Sequence, residues 1–106
     1  MARNHLFDRL HGPPALVVEI LSPGSTNTRR DRVAKLQLYA KHGVPEYWII
    51  DTEHRCIEVY RGPVADAAAP YGWRYGDMRV FNVGDRIAPL NRSDAEVAVE
   101  MFMAPV

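Results

Sequence analysis

The amino-acid sequence predicts an α+β fold, in which a mixed β-sheet carries one crossover helix. Three observations predict this fold: an apolar, β-branched run at residues 15–21, a helical pattern at residues 29–42, and a second apolar run at residues 47–51. A strand, a helix and a strand in this order form the crossover that joins parallel neighbours. The alternating segments that follow predict antiparallel strands added to the same sheet.

The length and composition predict a single globular unit. The chain has 106 residues, of which 47% are hydrophobic and 25% are charged. These values are typical of a folded domain and exclude a disordered chain. Its apolar runs are far shorter than the roughly 20 residues that span a bilayer, so we expect no membrane partner. The first residues lack the apolar stretch of a signal peptide, and Cys56 is the only cysteine. We therefore expect the reducing environment of the cytoplasm.

The first strand and the helix have clear boundaries in the sequence. Residues 15–21 are apolar at every position except Glu19, which predicts a strand buried on both faces at the centre of the sheet. Four possible N-cap residues at positions 25–28 precede the helix, and Gly43 follows it. The helical spacing predicts two neighbouring stripes. One packs on the sheet and contains Val33, Leu36 and Ala40, while the other contains Asp31, Lys35, Tyr39 and His42.

The second half of the chain predicts strands joined by turns. Residues 47–51 form a second buried strand, with Tyr47 and Trp48 in the core, and residues 56–60 return antiparallel to it. The remaining segments are predicted as a turn at 51–55, a loop at 62–70, a hairpin strand at 71–80, a turn at 84–85, and either a strand or a short helix at 95–102.

Glu19 is the most unusual residue in this pattern. A carboxylate inside an apolar strand is unfavourable unless it is paired, binds a metal or lies at an open end of the sheet. A simpler interpretation is that Glu19 faces solvent or pairs with an arginine of the following helix. The sequence leaves both interpretations open.

Lys35 also has two interpretations. Asp31 precedes it by four residues, so the pair could form an exposed salt bridge on the helix. Alternatively, the helix returns over the sheet and directs Lys35 toward Glu19. A carboxylate beside an ammonium group is the minimal pair for metal-assisted cleavage of a phosphodiester. The acid holds a divalent cation, and the lysine orients the attacking water or neutralises developing charge.

The charge is unevenly distributed, although the net charge is zero. Residues 1–43 contain seven Lys and Arg against three acids, a balance of +4, and the remainder contains six against ten, a balance of −4. The basic half includes Arg29, Arg30 and Arg32. These side chains could face nucleic-acid phosphates, or they could form an ordinary solvated helix face.

Three segments in order resemble one known family. They are PALVVEILSP at residues 14–23, RDRVAKLQLYA at residues 30–40 and GVPEYWIID at residues 43–51. This pattern is similar to that of the Uma2 family, formerly a domain of unknown function, which is placed in the PD-(D/E)XK restriction-endonuclease-like superfamily. The resemblance is close over residues 13–61 and looser over the tail to Phe102, within the hairpin and C-terminal strand region at residues 62–106. It implies a restriction-endonuclease-like fold and a metal-dependent DNA endonuclease.

The resemblance also implies roles for individual residues. Glu19 would be the second acid of the site and would bind Mg²⁺ or Mn²⁺ together with the backbone carbonyl of Ile20. The superfamily lysine would fall at Leu21, and Lys35 on the helix would replace it. Asp31, Tyr39 and Ser22 would surround these groups without binding the metal.

One departure from the family pattern concerns the first acid of the site. The family carries it in an upstream Pro-Asp step, whereas Asp8 is the only acid before Glu19 here. The resemblance therefore implies that residues 1–106 form a partial domain, incomplete at the N-terminus, with a weak metal site. An uncovered sheet edge would favour a homodimer. The alternative function is accordingly a non-catalytic dimerising module that keeps the nuclease fold.

Overall fold

The computed structural model describes residues 12–21 and 29–105. Its elements, in chain order, are β1 (Val17–Leu21), α1 (Arg29–Lys41), β2 (Glu46–Asp51), β3 (Cys56–Ala65), β4 (Trp73–Asn82), β5 (Arg86–Ile87), β6 (Val97–Ala98) and a 3₁₀ helix (Val99–Phe102). The first four strands form one sheet in the order β1-β2-β3-β4, and β5 pairs with β6. Because β1 is parallel to β2 and the later pairs are antiparallel, the predicted mixed sheet with one crossover helix is confirmed.

The position predicted for the first strand is wrong. Within the described residues, β1 lies at the end of the four-stranded sheet and not at its centre. Its side chains alternate in exposure, and Val18 and Ile20 are 44% and 64% exposed. The apolar composition of a strand does not specify how many neighbours it has, so the pattern of a central strand also occurs here at an edge.

The two faces of the sheet carry separate apolar clusters around β2, whose six residues are all buried. On the face away from α1 the buried residues are Trp48, Ile50, Ile57, Val59, Ile87, Val99 and Met103. On the face toward α1 they are Tyr39, Val44, Tyr47 and Ile49. Burial of each large apolar side chain contributes about 1.5–3 kcal/mol before the loss of conformational entropy is counted. The helix and the C-terminal segment therefore cover opposite faces of one sheet.

Helix α1 is rotated relative to the predicted stripe. Ala40 is buried and Leu36 packs against the core, but Val33 is 41% exposed. Tyr39 takes the central position instead, with its ring centroid 4.8 Å from that of Tyr47. A large aromatic ring buries more apolar area than valine, so the helix turns toward Tyr39. This rotation also turns Lys35 toward β1.

Several later boundaries differ from the predicted ones. β3 extends to Ala65, so the first part of the predicted loop at residues 62–70 is strand, paired with β4 as far as Trp73. The turn at 84–85 is confirmed, since Asp85 exchanges hydrogen bonds with the backbone of Asn82. Residues 95–102 divide into a two-residue strand and a 3₁₀ helix. In the described part of the chain, no helix is both long and apolar enough to cross a bilayer.

Candidate functional site

The side chain of Glu19 lies on the face of the sheet that α1 covers. Its neighbours Val17 and Leu21 pack against the apolar cluster beneath the helix, and successive side chains of a strand point to opposite faces. Glu19 is paired in register with Ile49 of the buried strand β2. Its side chain is 22% exposed. Glu19 is therefore half-buried between the sheet and the helix, not extended into bulk solvent.

Two residues of α1 contact the Glu19 carboxylate. The Nζ atom of Lys35 lies 3.2 Å from Oε1, and the hydroxyl of Tyr39 donates a hydrogen bond of 3.4 Å to Oε2. Lys35 and Tyr39 are four residues apart and so lie on one side of the helix. The helix thus supplies a donor to each oxygen of a carboxylate on the neighbouring strand. The ammonium group is itself 45% exposed.

Two tyrosines add to the polar surroundings of Glu19. Burial raises the pKa of Tyr39, and the charge of Glu19 and its hydrogen bond raise it further. Burial also raises the pKa of Tyr47 well above its usual range, with the charge of Glu19 as the next cause. Both hydroxyl groups therefore remain protonated at neutral pH. These hydroxyl groups can donate hydrogen bonds to the Glu19 carboxylate, as Tyr39 does to Oε2.

The three arginines predicted to face phosphate do not share one position. Arg32 is half-buried and lines a cavity between α1 and β3 together with Glu58. Arg30 is exposed and lines a different, open cavity beside Pro70. Arg29 is the first residue of α1, and the structure does not describe its side chain.

The other predicted site residues lie at varying distances from the carboxylate. Asp31 is exposed on α1. Ile20 follows Glu19 in β1, but its side chain lies on the opposite face. Ser22 lies outside the described residues, as does Asp8. The structure therefore brings together Glu19, Lys35 and Tyr39.

The donor set limits the kind of metal that the site could hold. Within residues 12–21 and 29–105, no group of three or more His, Cys, Asp or Glu side chains could hold a metal ion. Glu19 offers hard carboxylate oxygens, and Mg²⁺ is often bound through only one or two carboxylates while it keeps several waters. Glu19 and the carbonyl of Ile20 are the oxygen ligands that the sequence predicted for such a cation.

Two acids with many contacts were not singled out from the sequence. Glu46 is fully buried and accepts hydrogen bonds from Trp48, Arg61 and the backbone of Leu90. Glu58 lines the cavity with Arg32 and accepts a hydrogen bond from Tyr60. The alternation of residues 56–60 was a usable signal for Glu58, because it places positions 58 and 60 on one face.

The comparisons with known proteins agree with this architecture. A crystal structure described as a putative nuclease belonging to DUF820, from Anabaena variabilis ATCC 29413, is similar with a TM-score of 0.60 and 21% sequence identity. The similarity covers 82% of this chain but only 42% of that one, so this chain spans less than half the length of the solved relative. No match was found among curated proteins. The Uma2 family model, described as a putative restriction endonuclease, matches residues 3–91. The chain belongs to the Uma2 family and has its restriction-endonuclease-like fold.

Proposed function

We propose that this chain takes part in metal-dependent hydrolysis of phosphodiester bonds in nucleic acid, with DNA as the substrate. The observation that carries the proposal is the contact between Lys35 Nζ and Glu19 Oε1 at 3.2 Å, on a half-buried face of the sheet. The family description, a restriction endonuclease, supports the same reaction class. We also propose the cytoplasm as its location, since Cys56 is the only cysteine.

Glu19 is the metal ligand in this proposal, and Mg²⁺ or Mn²⁺ is the cation. Each carboxylate oxygen has two lone pairs, so Oε1 and Oε2 keep acceptor capacity beside Lys35 and Tyr39. The carbonyl of Ile20, next in β1, supplies a further oxygen. When bound, the cation would polarise the phosphoryl group and lower the pKa of an attacking water. Tyr39 orients the carboxylate through its hydrogen bond to Oε2.

Lys35 supplies the positive charge of the site. Its ammonium group is half-exposed, so it can turn from Glu19 toward an incoming phosphate without leaving the helix surface. It orients the attacking water or stabilises the charge that develops on the phosphoryl oxygens. Arg30 and Arg32 of the same helix attract the polyanionic backbone, and Arg29 and Asp31 belong to the same segment. Ser22 follows β1 and would complete the surroundings of Glu19.

The reaction is tested by incubating supercoiled plasmid with Mg²⁺ or Mn²⁺ and comparing the wild type with Glu19→Gln and Lys35→Ala. We expect nicking by the wild type and a loss of at least about 100-fold in each variant, the size found when one charge-stabilising group is removed. Chelation of the metal should abolish nicking in the wild type.

The matched controls lie on the exposed surface of the same protein. Lys41→Ala removes an exposed lysine at the end of α1, and Glu96→Gln neutralises an exposed acid paired with Arg86. Both controls should nick the plasmid as the wild type does. Equal background nicking in all five proteins would contradict the proposed hydrolysis.

A second candidate function is a non-catalytic homodimer, and the position of β1 favours it. In the described part of the sheet, β1 pairs on one side only, with β2. Val18 and Ile20 are exposed beside this edge. Pairing of two such edges would supply ladder hydrogen bonds and cover both apolar side chains.

The oligomeric state distinguishes this candidate. We expect the molar mass from light scattering to approach that of two chains as concentration rises, and Ile20→Lys to keep the protein monomeric. Asn91→Lys, on the exposed turn after β5, serves as a control for added charge. A wild type that stays monomeric at every concentration tested would exclude the dimerising module.

A further inference from the structure

A cavity beside the Glu19–Lys35 pair has a chemistry that hydrolysis does not use. It is open, has a volume of about 280 Å³ and lies between α1 and the sheet. We call it the α1–β3 groove; its lining residues are Arg32, Val33, Leu36, Glu58, Tyr60 and Met78, above Ile49. A smaller cavity of about 190 Å³ continues it toward Tyr75. Its walls combine apolar side chains with charged and hydroxyl groups, and both kinds of group line small-molecule pockets.

The polar groups of the groove are an acid and a guanidinium group. The Tyr60 hydroxyl donates to Oε1 of Glu58, which holds the carboxylate in place. No hydrogen bond to Oε2 of Glu58 occurs within the described residues. Arg32, on α1, lines the same cavity, and its charge acts to lower the pKa of Tyr60 against the larger, raising effect of burial. The groove thus offers acceptor oxygens from β3 and a guanidinium donor from α1.

We propose that the α1–β3 groove binds a guanine base of single-stranded nucleic acid. The Watson–Crick edge of guanine carries two N–H donors beside the O6 acceptor. Two N–H groups match the carboxylate of Glu58, and O6 matches the guanidinium of Arg32. Adenine has an acceptor, N1, at the position where guanine has an N–H donor. The N1 atom of adenine would therefore repel the carboxylate of Glu58. Met78, which is 48% exposed, and Leu36 provide apolar contact for the base.

The position of the groove relates it to the proposed cleavage site, on which this inference rests. Arg32 and Lys35 are three residues apart on α1, a separation of about 4.5 Å along the helix axis. A strand whose phosphate contacts Lys35 can therefore place a neighbouring base at Arg32. Glu58 then gives the site a preference for guanine at the nucleotide next to that phosphate.

Binding is measured without metal, by fluorescence anisotropy of labelled thymine oligonucleotides that carry one central guanine, hypoxanthine or adenine. We expect the wild type to bind the guanine oligonucleotide about tenfold more tightly than the adenine one, the discrimination of one good bidentate contact. Hypoxanthine, which lacks the second N–H donor, should fall between them. Glu58→Gln should remove the preference, and Arg32→Ala should weaken binding of the guanine oligonucleotide more than that of the adenine one.

The controls separate this inference from the proposed hydrolysis. Glu58→Gln keeps an oxygen that can accept from Tyr60, and its thermal unfolding should match that of the wild type. Glu96→Gln and Arg79→Ala, both exposed, should leave the preference unchanged. Equal affinity for the three oligonucleotides would overturn the proposed guanine binding, and so would a guanine preference that survives in Glu58→Gln. A guanine preference in a protein that cleaves no plasmid would support guanine binding in the groove and contradict only the proposed hydrolysis.

Discussion

Two carboxylate–cation pairs lie on the same sheet and have opposite properties. Glu46 is fully buried, and it accepts from Trp48 at 2.7 Å, from Arg61 at 2.9 Å and from the Leu90 backbone at 2.8 Å. Glu19 is 22% exposed, and its two donors lie at 3.2 and 3.4 Å. Glu46 is enclosed and accepts three hydrogen bonds, whereas Glu19 is partly exposed and accepts two longer ones.

The difference separates a structural ion pair from one that can exchange its partner. Glu46 joins β2 to β3 through Arg61 and to the segment after β5 through Leu90, so its contacts hold three parts of the chain together. A buried carboxylate of this kind cannot bind a ligand without losing hydrogen bonds that water does not replace. Glu19 has fewer and longer contacts and an exposed partner. A cation can therefore compete with Lys35 for Glu19, and a phosphate can compete with Glu19 for Lys35, at small expense in stability.

The largest effect on stability should follow from removing the cation of the buried Glu46–Arg61 pair. We expect Arg61→Ala to lower the free energy of unfolding by about 3 kcal/mol, because it leaves a buried carboxylate without its cation. Urea denaturation followed by tryptophan fluorescence measures this change. Arg79→Ala, which opens an exposed pair with Asp77 on β4, should change it by less than about 1 kcal/mol. Similar losses in the two variants would remove the distinction between the pairs.

A smaller effect is expected at the open pair. Lys35 is 45% exposed, so solvent screens its attraction for Glu19, and Lys35→Ala should lower the free energy of unfolding by less than about 1 kcal/mol. The same urea titration applies, with Lys41→Ala as the helix control. A loss as large as that of Arg61→Ala would make Glu19–Lys35 a structural pair and weaken the proposed function.

The smallest effect concerns a third pair, Asp51 and His54, in the turn after β2. Burial acts to raise the pKa of Asp51, but hydrogen bonds from the backbone and ring of His54 leave it lowered. The bond to Asp51 raises the pKa of His54 above 6.5. A raised histidine pKa stabilises the fold below pH 6.5, and this contribution is lost as the pH rises through the raised value.

The pH dependence of thermal unfolding tests this pair. We expect the Tm of the wild type to exceed that of His54→Ala by more at about pH 5 than at about pH 9, since only protonated His54 attracts Asp51. The lowered pKa of Asp51 adds stability above pH 3.8 that is lost as the pH falls through its folded value. A difference between wild type and variant that does not change with pH would exclude the ion pair as its cause.

Much of the fold could be predicted because it depends on local patterns. The boundaries of α1 follow from the polar residues before it and from Gly43, which adopts a φ of 78° after the last turn. The buried strand β2 follows from an apolar run, and the turn at 84–85 follows from its Gly-Asp pair. These features need no knowledge of distant residues. The short β5–β6 pair was not predicted, since two-residue strands have no periodicity to detect.

The candidate site could be predicted only in part. Glu19 stood out because a carboxylate interrupted an apolar strand, and Lys35 because it lay on the next helix. Their distance depends on the rotation of α1, which Tyr39 sets by packing on Tyr47, and the stripe through Val33 gave a different rotation. Glu46 was missed because its partners, Arg61 and Leu90, are distant in sequence.

The sequence by itself determined the order of the elements, the helix ends and the membership of Glu19 and Lys35 in neighbouring elements, because periodicity and turn residues act within a few positions of the chain. Only the tertiary structure decided that β1 lies at an edge of the described sheet, that Glu46 is enclosed and that Glu58 and Arg32 line one groove. These properties arise from contacts between segments far apart in sequence. In such contacts, burial and the distance to the partner set the strength of each electrostatic interaction.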